Sequence, residues 1–211
     1  MTEWHDIPRW PPCPSGDCML PVEQLVDQFV AVVNASYREP VNVEADGTPP
    51  SVLVGNPDGD GWCDWAIRPY AGISWVEPLQ QRLGRNFPAV FRSLVTRYIF
   101  PSFEVDGVFF FANTPEGTEF RELRARIFSQ DLFSALKRSG CLQIGQLAGG
   151  GYDPVCLALD YGDGTDCPLV QIDHEDVLMH GVVTVVRRIA PSLCHLMGSA
   201  VEGTGSRPTV E

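Results

Sequence analysis

The order of apolar patterns along this chain constrains its fold more than any other feature. Helix-spaced apolar residues come first, and short strand-like runs joined by tight Gly and Asp turns crowd the second half. A chain built from alternating βαβ units would interleave the two patterns. Their separation predicts an α+β fold, a mostly antiparallel sheet packed against helices.

The first helical stripe is Val22, Leu25, Val26, Phe29, Val30 and Val33, backed by Glu23, Gln24, Asp27 and Gln28. Pro21 suits a first helical position. A second helix is expected from Ser74, where Ser74 and Glu77 have capping-box spacing, to Gly84. A third starts at Pro88, with Phe87, Phe91, Leu94, Val95 and Tyr98 along one face. Asp106-Gly107 then reads as a type I′ turn between strands 103–105 and 108–112. A helix over 129–138 stops at Gly140. Strands follow at 142–147, 155–159, 169–172 and 182–186, and a short helix over 191–197.

Three regions result. Residues 1–61 form an N-terminal extension: a proline-rich lead-in, one amphipathic helix and a long loop, with an edge strand expected at 51–54. Residues 62–198 form the α+β domain, and 199–211 a disordered tail.

Composition narrows the function classes. With 211 residues, 44% of them hydrophobic, the chain can bury a real core. The formal charge of −12 repels phosphates, so no direct nucleic-acid partner is expected, and it suits a basic protein partner. No apolar run reaches the roughly 18 residues of a membrane span. Residues 1–20 lack the basic start and apolar stretch of a signal peptide. The expected location is the cytoplasm, with no membrane partner and all seven cysteines reduced.

Motifs for catalysis or metal binding are incomplete. Asp173-His174-Glu175 could hold a metal or transfer protons, but neighbours on an extended chain point to opposite faces. The histidine needed for a zinc-protease pattern is absent, since Leu178 stands four residues after His174. These three residues are read as setting structure at a strand end, with Asp173 capping backbone N–H groups. The segment 56–61 begins like a calcium loop, but Ile67 occupies the place of the bidentate Glu. Cys13 and Cys18 have no matching second pair for zinc. Cys194-His195 are neighbours on a helix, which does not make a catalytic pair. Gly149-Gly150-Gly151 lacks the lysine of a phosphate loop. No cofactor and no metal is expected.

Trp62, Trp65 and Trp75 crowd a loop-to-helix passage. They either cover one end of the core or anchor a partner, since Trp and Tyr dominate binding hot spots.

Certain stretches together carry a family likeness. These are the helix pair over 75–98 with Leu83-Gly84 and Phe87-Pro88 at the link, then Gly151-Tyr152-Asp153-Pro154-Val155-Cys156-Leu157 and Asp160. After them come Cys167-Pro168-Leu169-Val170-Gln171-Ile172-Asp173-His174-Glu175 and Ile189-Ala190-Pro191-Ser192-Leu193. The succession resembles the SUKH superfamily, which includes the Smi/Knr-type cell-wall-assembly regulators of yeast and many bacterial immunity proteins. The resemblance implies an α+β binding module without catalytic residues. It also implies an immunity role, in which the protein neutralises a toxin domain such as a nuclease or deaminase by direct binding. The candidate partner-binding residues are Trp62, Asp64, Trp65, Tyr70, Tyr152 and Asp153. The competing readings are a regulatory or scaffold protein, and a metal-dependent enzyme using Asp173, His174, Glu175 and Asp153.

Overall fold

The computed structural model describes residues 20–37, 39–71, 75–114, 122–128, 130–149 and 151–203. In the first part of the chain, helix α1 (Val22–Ser36) leads into β1 (Val41–Asn42), a single turn α2 (Val43–Asp46), β2 (Leu53–Val54), β3 (Trp62–Trp65) and β4 (Arg68–Pro69). The middle holds α3 (Val76–Leu83), α4 (Ala89–Arg97), β5 (Tyr98–Ile99), β6 (Phe103–Val105), β7 (Val108–Phe110), α5 (Leu123–Ile127) and α6 (Gln130–Arg138). The last part is β8 (Cys141–Leu147), β9 (Pro154–Ala158), β10 (Leu169–Ile172), α7 (His174–His180), β11 (Val185–Ala190) and α8 (Leu193–Gly203). The fold is α+β, as the order of patterns predicts.

Six strands form the main sheet, in the order β11-β10-β9-β8-β7-β6, and every neighbouring pair is antiparallel. The β6–β7 hairpin turns at Asp106 and Gly107, both at positive φ, as a type I′ turn requires. Strands β9 and β10 are buried along their whole length because both faces are covered. Val155 and Leu157 of β9 join the larger core cluster, while Cys156 and Ala158 join a smaller one on the opposite face. That smaller cluster draws Ala135 and Leu136 from α6 and Val177 from α7. A strand covered on both sides reads as a continuous apolar run, which is why 154–158 shows no polar alternation.

The larger core explains the position of α1. Leu25, Val26, Phe29, Val30 and Val33 are all buried in it, together with Leu193, Leu196 and Met197 of α8. The Phe29 ring lies 6.3 Å from that of Phe103 and 6.5 Å from that of Phe110. Trp65 lies 6.2 Å from the same Phe103 ring, so α1, β3 and the β6–β7 hairpin share one aromatic cluster.

Several local expectations are corrected. Trp62 to Trp65 is not a loop-to-helix passage but a strand, the middle member of a small sheet ordered β1-β3-β2. Its alternation decides the fate of its side chains: Trp62 and Asp64 face out, Cys63 and Trp65 face in. Helix α3 begins at Val76 after Trp75, which makes no side-chain cap, and Ser74 lies outside the described residues. Gly84 does end it, in the left-handed conformation. Residues 199–203 belong to α8 rather than to a tail, because Ala200 is fully buried and Val201 packs on the core. Residues 204–211 lie outside the described residues. The strand expected over 182–186 runs instead from Val185 to Ala190.

Cysteine pairing also differs in part. Cys63, Cys141, Cys156 and Cys167 are buried and form no disulfide. Cys194 is disulfide-bonded, against the expectation of reduced thiols throughout. Cys13 and Cys18 lie outside the described residues.

Candidate functional site

The Asp173-His174-Glu175 segment stands where β10 ends and α7 begins. Asp173 is the N-cap of that helix: one carboxylate oxygen accepts from Glu175 N–H at 2.9 Å and from Asp176 N–H at 3.1 Å. The capping role expected of Asp173 is therefore observed. The helix it starts was not expected. Its signal is nonetheless in the sequence, because Asp173, acidic residues at 175 and 176, and Gly181 bracket a seven-residue turn. Gly181 closes it in the left-handed conformation.

Asp153 arrives at the same place from another strand. Pairing of β9 with β10 sets Val155 against Gln171, and extending that antiparallel register by two residues puts Asp153 opposite Asp173. One Asp153 carboxylate oxygen meets the His174 ring Nδ1 at 2.7 Å and the His174 backbone N–H at 3.1 Å. The other accepts from the Gln171 amide at 2.6 Å. Gln171 in turn accepts from the Arg187 guanidinium at 2.9 Å. A polar chain thus runs from β11 through β10 to β9 and α7. Burial works to raise the Asp153 carboxyl, but the His174 ring, the Gln171 amide and the His174 N–H outweigh it. The group titrates below its ordinary value, so it stays an anion that accepts hydrogen bonds from these donors.

The objection that three neighbours cannot converge holds for Glu175, which points away and is exposed. It fails for Asp173 and His174, because the third member, Asp153, stands just before β9. Ligand-type atoms of Asp153, Asp173 and His174 lie within 4.8 Å of one another. Their chemistry is already committed, however. Both carboxylates bind the N–H groups that open α7, which neutralises orphan donors and places negative charge at the helix start. What this arrangement does is fix α7 on the end of the sheet.

The consequence appears on the outer face. The Tyr152 ring packs on the His174 ring at 5.8 Å between centroids and is 78% exposed. Along α7, Leu178 is 54% and Met179 77% exposed, and just beyond it Val182 is 44% exposed. Leu178 lies four residues after His174, on the same side of the helix. Four large apolar side chains therefore stand in water around a rigidly held turn, with Glu175, Asp176 and His180 among them.

No protein-family model matches the chain, and no curated protein is significantly similar to it.

The remaining candidate residues are split from this face. Trp62 and Asp64 are exposed on β3, in the small sheet. Trp65 is 2% exposed, and its indole N–H donates to the Glu39 carbonyl at 2.8 Å, so it is a core residue. Tyr70 is half-buried, its backbone N–H tied to the Arg97 carbonyl. Sequence reasoning missed Leu178, Met179 and Val182, whose exposure depends on which side of an unexpected helix meets the sheet. Among the described residues, no helix is long and apolar enough to cross a membrane.

Proposed function

We propose that this protein is a non-catalytic binding module of SUKH-like type that neutralises a basic toxin domain, such as a nuclease or deaminase, in the cytoplasm. The observation that carries the reading is the exposed set Tyr152, Leu178, Met179 and Val182 on and around α7. Isolated apolar residues on a surface need no explanation, but a local group on one short element marks an interaction site. Aromatic and methionine side chains suit the centre of such a site, and the flanking carboxylates suit a basic rim.

The rest of the molecule supports the same reading. A net charge of −12 speeds encounter with a positive partner and weakens with salt. The Asp153–His174 pair holds the α7 face rigid, which lowers the ordering cost of association. Trp62 and Asp64 offer a second, separate contact area on the small sheet.

The test is co-expression with a toxin domain encoded beside the gene, followed by binding measurements at two salt concentrations. Met179→Asp and Tyr152→Ala should speed dissociation at least tenfold while leaving the fold intact. Neutralising Glu175 should instead slow association. Absence of both binding and rescue would reject the immunity role and favour a regulatory or scaffold protein.

A further inference from the structure

Helix α8 carries a cysteine whose bonding reaches beyond the described residues. Cys194 is 4% exposed and disulfide-bonded. The chain has seven cysteines, and Cys63, Cys141, Cys156 and Cys167 form no disulfide. Elimination leaves Cys13 and Cys18, both in the proline-rich lead-in, as the partners available to Cys194.

The α8 end of the bond is firmly held. The Cys194 N–H donates to one oxygen of the buried Asp166 carboxylate at 2.8 Å, and the Leu193 N–H donates to the other at 3.1 Å. Leu193 and Cys194 belong to the core cluster that α1 also enters. Leu20 and Val22, where the lead-in runs into α1, pack on that same cluster. Cys18 precedes Leu20 by two residues and Cys13 by seven, so the chain length keeps their Cα atoms within about 7 Å and 25 Å of that of Leu20. The bond thus closes a ring between the two ends of the chain, where α1 meets α8.

We infer that this bond is a redox-sensitive clasp: oxidised, it ties the lead-in to α8, and reduced, it lets the lead-in go. The redox response rests on the cytoplasmic reading above, because a cytosolic disulfide is transient or redox-sensing rather than permanent. Glutathione is the exchanging thiol. The Cys194 side is buried, so a glutathione thiolate attacks the lead-in sulfur, the S–S bond breaks, and Cys194 leaves as a thiolate that takes up a proton. A second glutathione thiolate then attacks the sulfur of the bound glutathione. That step frees the lead-in cysteine and yields oxidised glutathione, which drives the reverse sequence.

Peptide mapping of the full chain without reductant tests the link. Trypsin should give residues 10–38 joined to residues 189–211, and the joined peptide should vanish on reduction. Either Cys13→Ser or Cys18→Ser should abolish it, and the one that does identifies the partner. Both sites precede α1, so a failure of Cys194→Ser to fold would not obscure the result. Incubation of the folded protein in glutathione buffers tests the switch. The joined form should convert reversibly as the ratio of reduced to oxidised glutathione changes, with Tm lower by roughly 5–15 °C in the reduced form. The variant lacking the partner cysteine should show the lower Tm at every ratio. Cys194 recovered as a thiol, or joined to a cysteine other than Cys13 or Cys18, overturns the clasp. A bond that reduced glutathione leaves intact in the folded protein is a permanent cross-link and overturns the switch. Met179→Asp should leave both the map and the glutathione response unchanged, which separates this result from the fate of the toxin-binding reading.

Discussion

A single carboxylate oxygen of Asp153 binds His174 twice, at the ring Nδ1 and at the backbone N–H, across 21 residues of sequence. The contact ties the start of β9 to the first turn of α7. It makes a carboxylate from just before that strand act as a helix cap, beside Asp173, which caps the next two N–H groups.

This pair predicts a defined acid sensitivity. The Asp153 carboxyl titrates lower in the fold than in the unfolded chain. Its contribution is complete above the unfolded value near pH 4 and is lost as pH falls through the folded value. Asp153→Asn should lower the unfolding free energy at pH 7 by about 1–2 kcal/mol and flatten the acid limb. Urea denaturation between pH 3 and pH 7 measures both effects.

Asp166 should behave in the opposite sense. It is buried and accepts from the N–H groups of Cys167 at 2.8 Å, Leu193 at 3.1 Å and Cys194 at 2.8 Å, so it anchors the start of α8. Burial pushes its carboxyl above the ordinary value, and these donors together with Ser192 only partly offset the shift. Its charge therefore costs stability as pH rises through that raised value. Asp166→Ala strands the donors and should cost about 2–4 kcal/mol, more at acid pH than above that raised value. Loss of the α8 contact with α1 would appear as faster amide exchange in both helices.

Gly145 lets the backbone of β8 pass close to that of β7. A β-carbon there would collide with the Phe109 carbonyl oxygen, which is backbone and cannot swing away. Gly145→Ala should destabilise the protein by roughly 2 kcal/mol, measurable as a lowered Tm.

The thiols give a further check. Burial raises Cys141 to about 12 and Cys156 well above its ordinary value. Neither should react with an alkylating reagent at pH 8 until the protein unfolds. Cys63 and Cys167 are also buried and should be protected by lack of access. Cys194 should be alkylated only after reduction. Mass mapping of native, denatured and reduced samples distinguishes the three groups.

Replacing Met179 with Asp should change stability by less than about 0.5 kcal/mol, because the side chain already stands in water. Equal denaturation midpoints for variant and parent would confirm that any loss of binding is a surface effect.

What the sequence determined by itself is local. The 3.6-residue stripe from Leu25 to Val33 requires a helix with one buried face, and Asp106-Gly107 requires a tight hairpin, because each depends on neighbours within a few residues. Helices before strands then suffices for an α+β fold. Tertiary structure decided what depends on partners far along the chain. Trp62 and Trp65 look alike in sequence, and only pairing within β1-β3-β2 turns one outward and seats the other on Phe103. Asp153 and His174 meet only because the β9–β10 register carries one to the other. Leu178 and Met179 are exposed only because Val177 is the side of α7 that faces the sheet. A one-residue shift in register or helix phase would exchange each of these outcomes, and no local preference in the chain fixes either.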